Sequence, residues 1–93
     1  MISEKIKILR DKAGMSQAQL AKKLDVTRSS VNAWEMGLST PTTQYVAAMA
    51  QLFHVSSDYM LGIENRIQIT LDGYSQEETK LIFNLLKYFD EHR

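Results

Sequence analysis

Residues 17–36 read QAQLAKKLDVTRSSVNAWEM, and the architecture follows from how this stretch breaks in its middle. Leu20, Ala21 and Leu24 recur at helical spacing, as do Val31 and Trp34 further on, so the stretch holds two amphipathic helical segments. Between them Asp25-Val26 interrupts the pattern, and Thr27 supplies a side-chain oxygen able to cap the second segment. Upstream, Ser16 with Gln19 forms a capping box that marks the start of the first segment. Two short helices joined by a turn of about three to four residues cross closely only if a small side chain sits at the crossing. Ala21 occupies that place. A branched residue there would push the helices apart and misaim the second.

Working outward, Ile2, Ile6, Leu9 and Ala13 predict a preceding helix that stops at Gly14, a residue suited to a left-handed C-terminal position. Gly37 ends the second segment of the central pair. Thr40-Pro41 opens a further helix, with proline as its first residue and Tyr45, Val46, Met49, Ala50 and Phe53 facing inward. Ser56 caps a short helix from Ser57 to Leu61, before Gly62. The pattern then changes. Residues 66–71, RIQITL, alternate polar and apolar, which predicts a strand over Ile67–Leu71. After an Asp72-Gly73 turn, Ser75 and Glu78 make a second capping box, opening a helix over 75–92 with Leu81, Ile82, Leu85, Leu86 and Phe89 on one face. The expected class is mainly α: a five-helix unit over 1–63, then a strand and an amphipathic helix over 64–93.

A chain of 93 residues accommodates one small domain, or one with an appendage. Its net charge is zero, yet the halves differ in sign. Residues 1–63 carry seven bases against five acids, +2, while residues 64–93 carry four against six, −2. The absence of cysteine excludes disulfides and thiolate metal ligands. His54 and His92 stand 38 positions apart without ligand-like carboxylates around them, so neither a metal site nor a cofactor is expected. The first fifteen residues carry six charges and no long apolar run, which argues against a signal peptide or membrane anchor and for a cytoplasmic location. No nucleophile–base pair or glycine-rich phosphate loop stands out, so the pattern does not favour an enzyme.

The spacing over residues 3–62 resembles the XRE and lambdoid-phage repressor family of five-helix, helix-turn-helix domains. The resemblance rests on Ile6, Arg10, Met15-Ser16-Gln17, Leu20-Ala21, Leu24, Val26, Val31, Trp34-Glu35, Gly37, Pro41, Ala50, Leu52, Val55-Ser56, Asp58 and Leu61-Gly62. It implies a sequence-specific regulator of transcription whose third helix enters the major groove of double-stranded DNA. Arg28, Ser29, Asn32 and Ala33 then fall at the base-reading positions, Arg28 suited to guanine and Asn32 to paired bonds with adenine. Gln17, Thr27, Ser30, Thr40 and Thr42 fall where phosphates are contacted. Glu35 matches an acid that pairs with a base on the first helix, here Arg10, and Trp34 reads as core. Residues 38–44, LSTPTTQ, bring hydroxyls but no Lys or Arg to the backbone-tracking loop, so its grip on phosphate is expected to be weak. Asp25 and His54 stand at turn positions where relatives often carry glycine or asparagine, and both tolerate positive φ at small cost.

A lone strand with open edges does not persist in water. Residues 64–93 are therefore expected to pair with a second copy, Ile67, Ile69 and Leu71 across a two-fold axis and Leu81, Ile82, Leu85, Leu86 and Phe89 against the partner. A dimeric repressor on a palindromic operator follows. Two other arrangements stay open: the segment folds back on its own domain, or it grips a protein antagonist or toxin, making the chain an antitoxin or adaptor.

Overall fold

The structure, a computed structural model, describes residues 1–63 and 71–92. Among them run six helices: α1 (Ile2–Lys12), α2 (Gln17–Leu24), α3 (Arg28–Glu35), α4 (Thr43–Phe53), α5 (Ser57–Met60) and α6 (Gln76–Glu91). The boundaries have local causes. Ser16 Oγ accepts from the Gln19 amide at 3.1 Å while the Gln19 side chain accepts from the Ser16 amide at 2.7 Å, so α2 starts on a closed capping box. Thr27 and Ser56 accept from the amides of Ser30 and Tyr59, three residues on, and start α3 and α5. Gly14 and Gly37 take φ of +70° and +72° just after α1 and α3, a conformation that costs glycine little. Asp25 and His54, both at φ 57°, close α2 and α4 in the left-handed region, as their positions in the sequence predict. One start differs: α4 begins at Thr43 with Thr42 as its N-cap, and Pro41 lies buried ahead of the helix rather than as its first residue.

Helices α1 to α5 share one core. Ile6 and Leu9 from α1, Leu20 and Ala21 from α2, Val31 and Trp34 from α3, and Val46, Met49 and Ala50 from α4 are buried together with Val55, Tyr59 and Met60. Helix α3 packs against both α2 and α1, which fixes its axis from two sides and leaves its remaining face in solvent. Ala21 is 3% exposed in this core, consistent with a small residue at a close approach of α2. Across the α3–α4 contact the rings of Trp34 and Tyr45 lie 5.4 Å apart. The Lys5 ammonium sits 4.2 Å from the centre of the Tyr59 ring and joins α1 to α5.

The second unit departs from the sequence expectation. No strand occurs among the described residues, so the class is corrected from helical-with-a-strand to all-α. Ile67 and Ile69 lie outside the described residues. Leu71, the described end of the expected strand, is half-buried and its carbonyl accepts from the Tyr74 amide at 3.2 Å in a turn. Period-two alternation favours a strand only where a neighbouring strand takes up the backbone N–H and C=O groups, and no other described segment is extended to do so. Helix α6 does form, on a complete capping box between Ser75 and Glu78. It buries no residue. The segment entering it is tied back to the end of α4, where the Tyr74 hydroxyl pairs with His54 Nε2 at 2.7 Å and the two rings lie 4.9 Å apart.

Candidate nucleic-acid interface

The side of α3 away from the core carries the residues that the sequence assigns to base reading. Arg28, Ser29 and Asn32 are exposed there, and Ala33 is half-buried. Arg28 forms no ion pair among the described residues. The residues assigned to phosphate contact lie on different elements. Gln17, half-buried, is the first residue of α2; exposed Thr27 is the N-cap of α3, with half-buried Ser30 in its first turn; Thr40 and Thr42 are exposed between α3 and α4. The hydroxyls of Thr27 and Ser30 pair at 3.0 Å. The Thr42 side chain makes no capping bond.

Helices α2 and α3 each start on a side-chain cap, and the start of α2 lies against the middle and end of α3 through Gln17. An α-helix begins with amide groups that lack intrahelical acceptors. The caps at Ser16 and Thr27 satisfy the amides of Gln19 and Ser30, so the N–H groups of residues 17, 18, 28 and 29 remain at the two helix ends. Such ends, with their partial positive charge, attract phosphate.

A buried ion pair holds α3 in place. The Arg10 guanidinium donates to Glu35 through Nε at 2.6 Å and Nη2 at 3.0 Å, and to the Met15 carbonyl through Nη1 at 2.8 Å. It also lies 3.1 Å from Asp11. One side chain of α1 thus fastens both the end of α3 and the loop before α2. Burial would raise the Glu35 carboxyl, but hydrogen bonds from Arg10 and Gln17 and the charges of Arg10 and Lys7 outweigh it and hold the carboxyl below its ordinary value. The hydrogen bond to Glu35 raises Arg10 in turn, against the opposing effect of burial.

Gln17 adds a connection that local spacing does not reveal. Its Nε2 donates to Glu35 Oε1 at 3.2 Å and to Asn32 Oδ1 at 3.2 Å. Gln17 and Asn32 are fifteen residues apart and meet only because α2 and α3 cross. Of the residues expected to dimerise, Leu81, Leu85, Leu86 and Phe89 are exposed on α6, with Ile82 half-buried among them. Phe83 and Tyr88, which fall outside the expected stripe, are exposed as well. No helix among the described residues is long and apolar enough to cross a membrane.

Comparison with known proteins places these features in a family. The helix-turn-helix family model matches residues 6–60. The chain is 31% identical over 61 residues to the HTH-type transcriptional regulator ImmR of Bacillus subtilis (strain 168), covering 66% of this chain and 48% of ImmR, so it spans about half the length of that relative. Among solved structures it resembles SinR, a master regulator for biofilm formation, in complex with DNA, at 32% identity and a TM-score of 0.61 over 66% of this chain and 98% of that one. It also resembles the P22 c2 repressor in complex with a synthetic operator, at 26% identity and a TM-score of 0.64 over 69% and 97%. These relatives are regulators rather than enzymes.

Proposed function

The chain belongs to the helix-turn-helix family of the XRE and lambdoid-repressor type, and on that premise we propose that it is a sequence-specific double-stranded DNA-binding regulator of transcription, acting as a dimeric repressor on a palindromic operator. The observation that carries the reading is the outer face of α3: Arg28, Ser29 and Asn32 stand exposed on a helix pinned from behind by Arg10 and Glu35. A helix inserted in the major groove by its N-terminal half puts these residues, with Ala33, against base edges. Phosphates on either side meet the N-terminal amides of α2 at Gln17, the hydroxyls of Thr27 and Ser30, and those of Thr40 and Thr42. Residues 1–63 read DNA in this proposal, and residues 64–93 assemble the reader. The work is that of a cytoplasmic protein.

Dimerisation is assigned to α6. Leu81, Leu85, Leu86 and Phe89 are each more than half exposed, at 68, 55, 52 and 51%, a density of apolar surface that a helix in water ordinarily covers. The same surface favours a second reading, in which α6 grips another protein and the chain is an antitoxin or adaptor. Selection of bound sites from random double-stranded DNA tests the leading proposal. The expected product is an inverted repeat with half-sites about one helical turn apart. No enriched motif would overturn it. Light scattering on the full chain separates the two readings of α6, since a monomer at micromolar concentration would leave the second.

A further inference from the structure

The hydrogen bonds joining the core to the DNA-facing surface run in one direction only. Arg10 can only donate, and an ionised Glu35 can only accept. Arg10 is 9% exposed and bonded to Glu35 at 2.6 and 3.0 Å, so this end of the chain cannot reverse. Gln17 therefore meets the carboxylate with its amino group, not its carbonyl. Nε2 has two hydrogens, and the second goes to Asn32. Asn32 then offers Oδ1 to Gln17, and its planar amide turns Nδ2 and both of that atom's hydrogens away from Gln17, at an exposed position of α3.

Resting on the reading of α3 as the groove-entering helix, we propose that Gln17 is a positioning residue that sets Asn32 as a hydrogen-bond donor, so that Asn32 selects guanine over adenine. Guanine presents two acceptors in the major groove, N7 and O6, and an outward amino group satisfies both. Adenine presents N7 beside an N6 amino group, which needs the Asn32 carbonyl that Gln17 already holds. The paired contact with adenine expected from the residue type alone is lost to the neighbouring helix. Gln17 itself, with both amino hydrogens spent, reaches phosphate through its backbone N–H and not its side chain.

The test uses the full chain and DNA selection. Asn32→Ala first identifies the base step that Asn32 reads, as the one position in each half-site whose preference it erases. Wild type is expected to require guanine at that step, with roughly tenfold weaker binding to adenine, the scale of one good paired contact. Gln17→Met keeps the length of the side chain without its amide. It is expected to bring guanine and adenine at that step to near parity, with the preferences at the other positions unchanged. The thermal midpoint should fall only by the loss of one hydrogen bond to Glu35, and a merely structural role would not produce this base-selective pattern. Adenine preferred by the wild type, or an unaltered guanine preference in Gln17→Met, would overturn the inference while leaving the DNA-binding reading intact. A wild type that enriches no motif would overturn both. Should Gln17→Met fail to fold, the wild type on operators carrying 7-deazaguanine at that step decides instead. A loss of severalfold in affinity supports the donor assignment, and undiminished binding refutes it.

Discussion

Helices α2 and α6 begin alike and end up in opposite surroundings. Each opens on a complete capping box, Ser16 with Gln19 in one and Ser75 with Glu78 in the other, and each carries apolar residues at helical spacing. Yet Leu20 of α2 is fully buried and Leu81 of α6 is 68% exposed. Capping satisfies the amides at a helix start and says nothing about what the helix packs on. The two carboxylates held below their ordinary range show the same division. Glu35 is lowered despite burial, by Arg10, Gln17 and Lys7; Glu78 is lowered by the amide and hydroxyl of Ser75 next to it in the chain. One is a tertiary contact and the other a local one.

The comparison breaks first at Glu35. Glu35→Ala leaves the Arg10 guanidinium with only Asp11 and the Met15 carbonyl, and removing one partner of a buried pair costs at most about 3–5 kcal/mol. Urea denaturation of this variant is expected to show a midpoint well below that of wild type; a loss under about 1 kcal/mol would mean that Asp11, the Met15 carbonyl and water suffice for Arg10. Next, Leu20→Ala is expected to cost about 2–5 kcal/mol as a core truncation. Leu85→Ala in α6 should stay within about 0.5 kcal/mol at low protein concentration. Equal losses in dilute solution would show that α6 is packed on its own domain. A loss for Leu85→Ala that grows with concentration would sharpen the contrast, because it is the mark of a second copy.

Arg28→Ala touches the surface of α3 alone. It should leave the melting temperature unchanged and weaken the selected site by about 1–3 kcal/mol, relaxing preference at one base pair in titrations at fixed salt. A uniform loss over all sequences would reassign Arg28 to phosphate. The smallest effect is that of pH. The Glu35 carboxyl lies below its ordinary value of 4.5 in the folded state, so its contribution is fully present above that value and is lost as pH falls through the folded one. Wild type should therefore lose its stability advantage over Glu35→Gln progressively below about pH 4.5. An advantage constant down to pH 3 would exclude the ionised pair as its source.

Much of the first region is legible residue by residue. Ser16, Thr27 and Ser56 announce helix starts because a cap bonds the amide three positions on, within reach of any local reading. Ile6, Leu20, Val31 and Met49 occupy inward positions because helical periodicity depends only on neighbours three and four residues away. The Arg10–Glu35 pair spans twenty-five residues and becomes visible only through likeness to a family. Thr40-Pro41 misplaces the start of α4, since proline is as acceptable just outside a helix as at its first residue.

What the sequence alone determined about this chain is the identity and order of its helices, most of the core-facing residues of α1 to α4, and the set of side chains on the outer face of α3. All of these follow from chemistry within a few residues of chain. Tertiary structure decided the rest. It joined Gln17 to Asn32 and Glu35, left α6 without a buried residue, and formed no strand among the described residues. Each of these depends on what a second segment brings into contact: a hydrogen bond requires the crossing of two helices, burial requires a surface to pack on, and a strand requires a neighbour for its backbone.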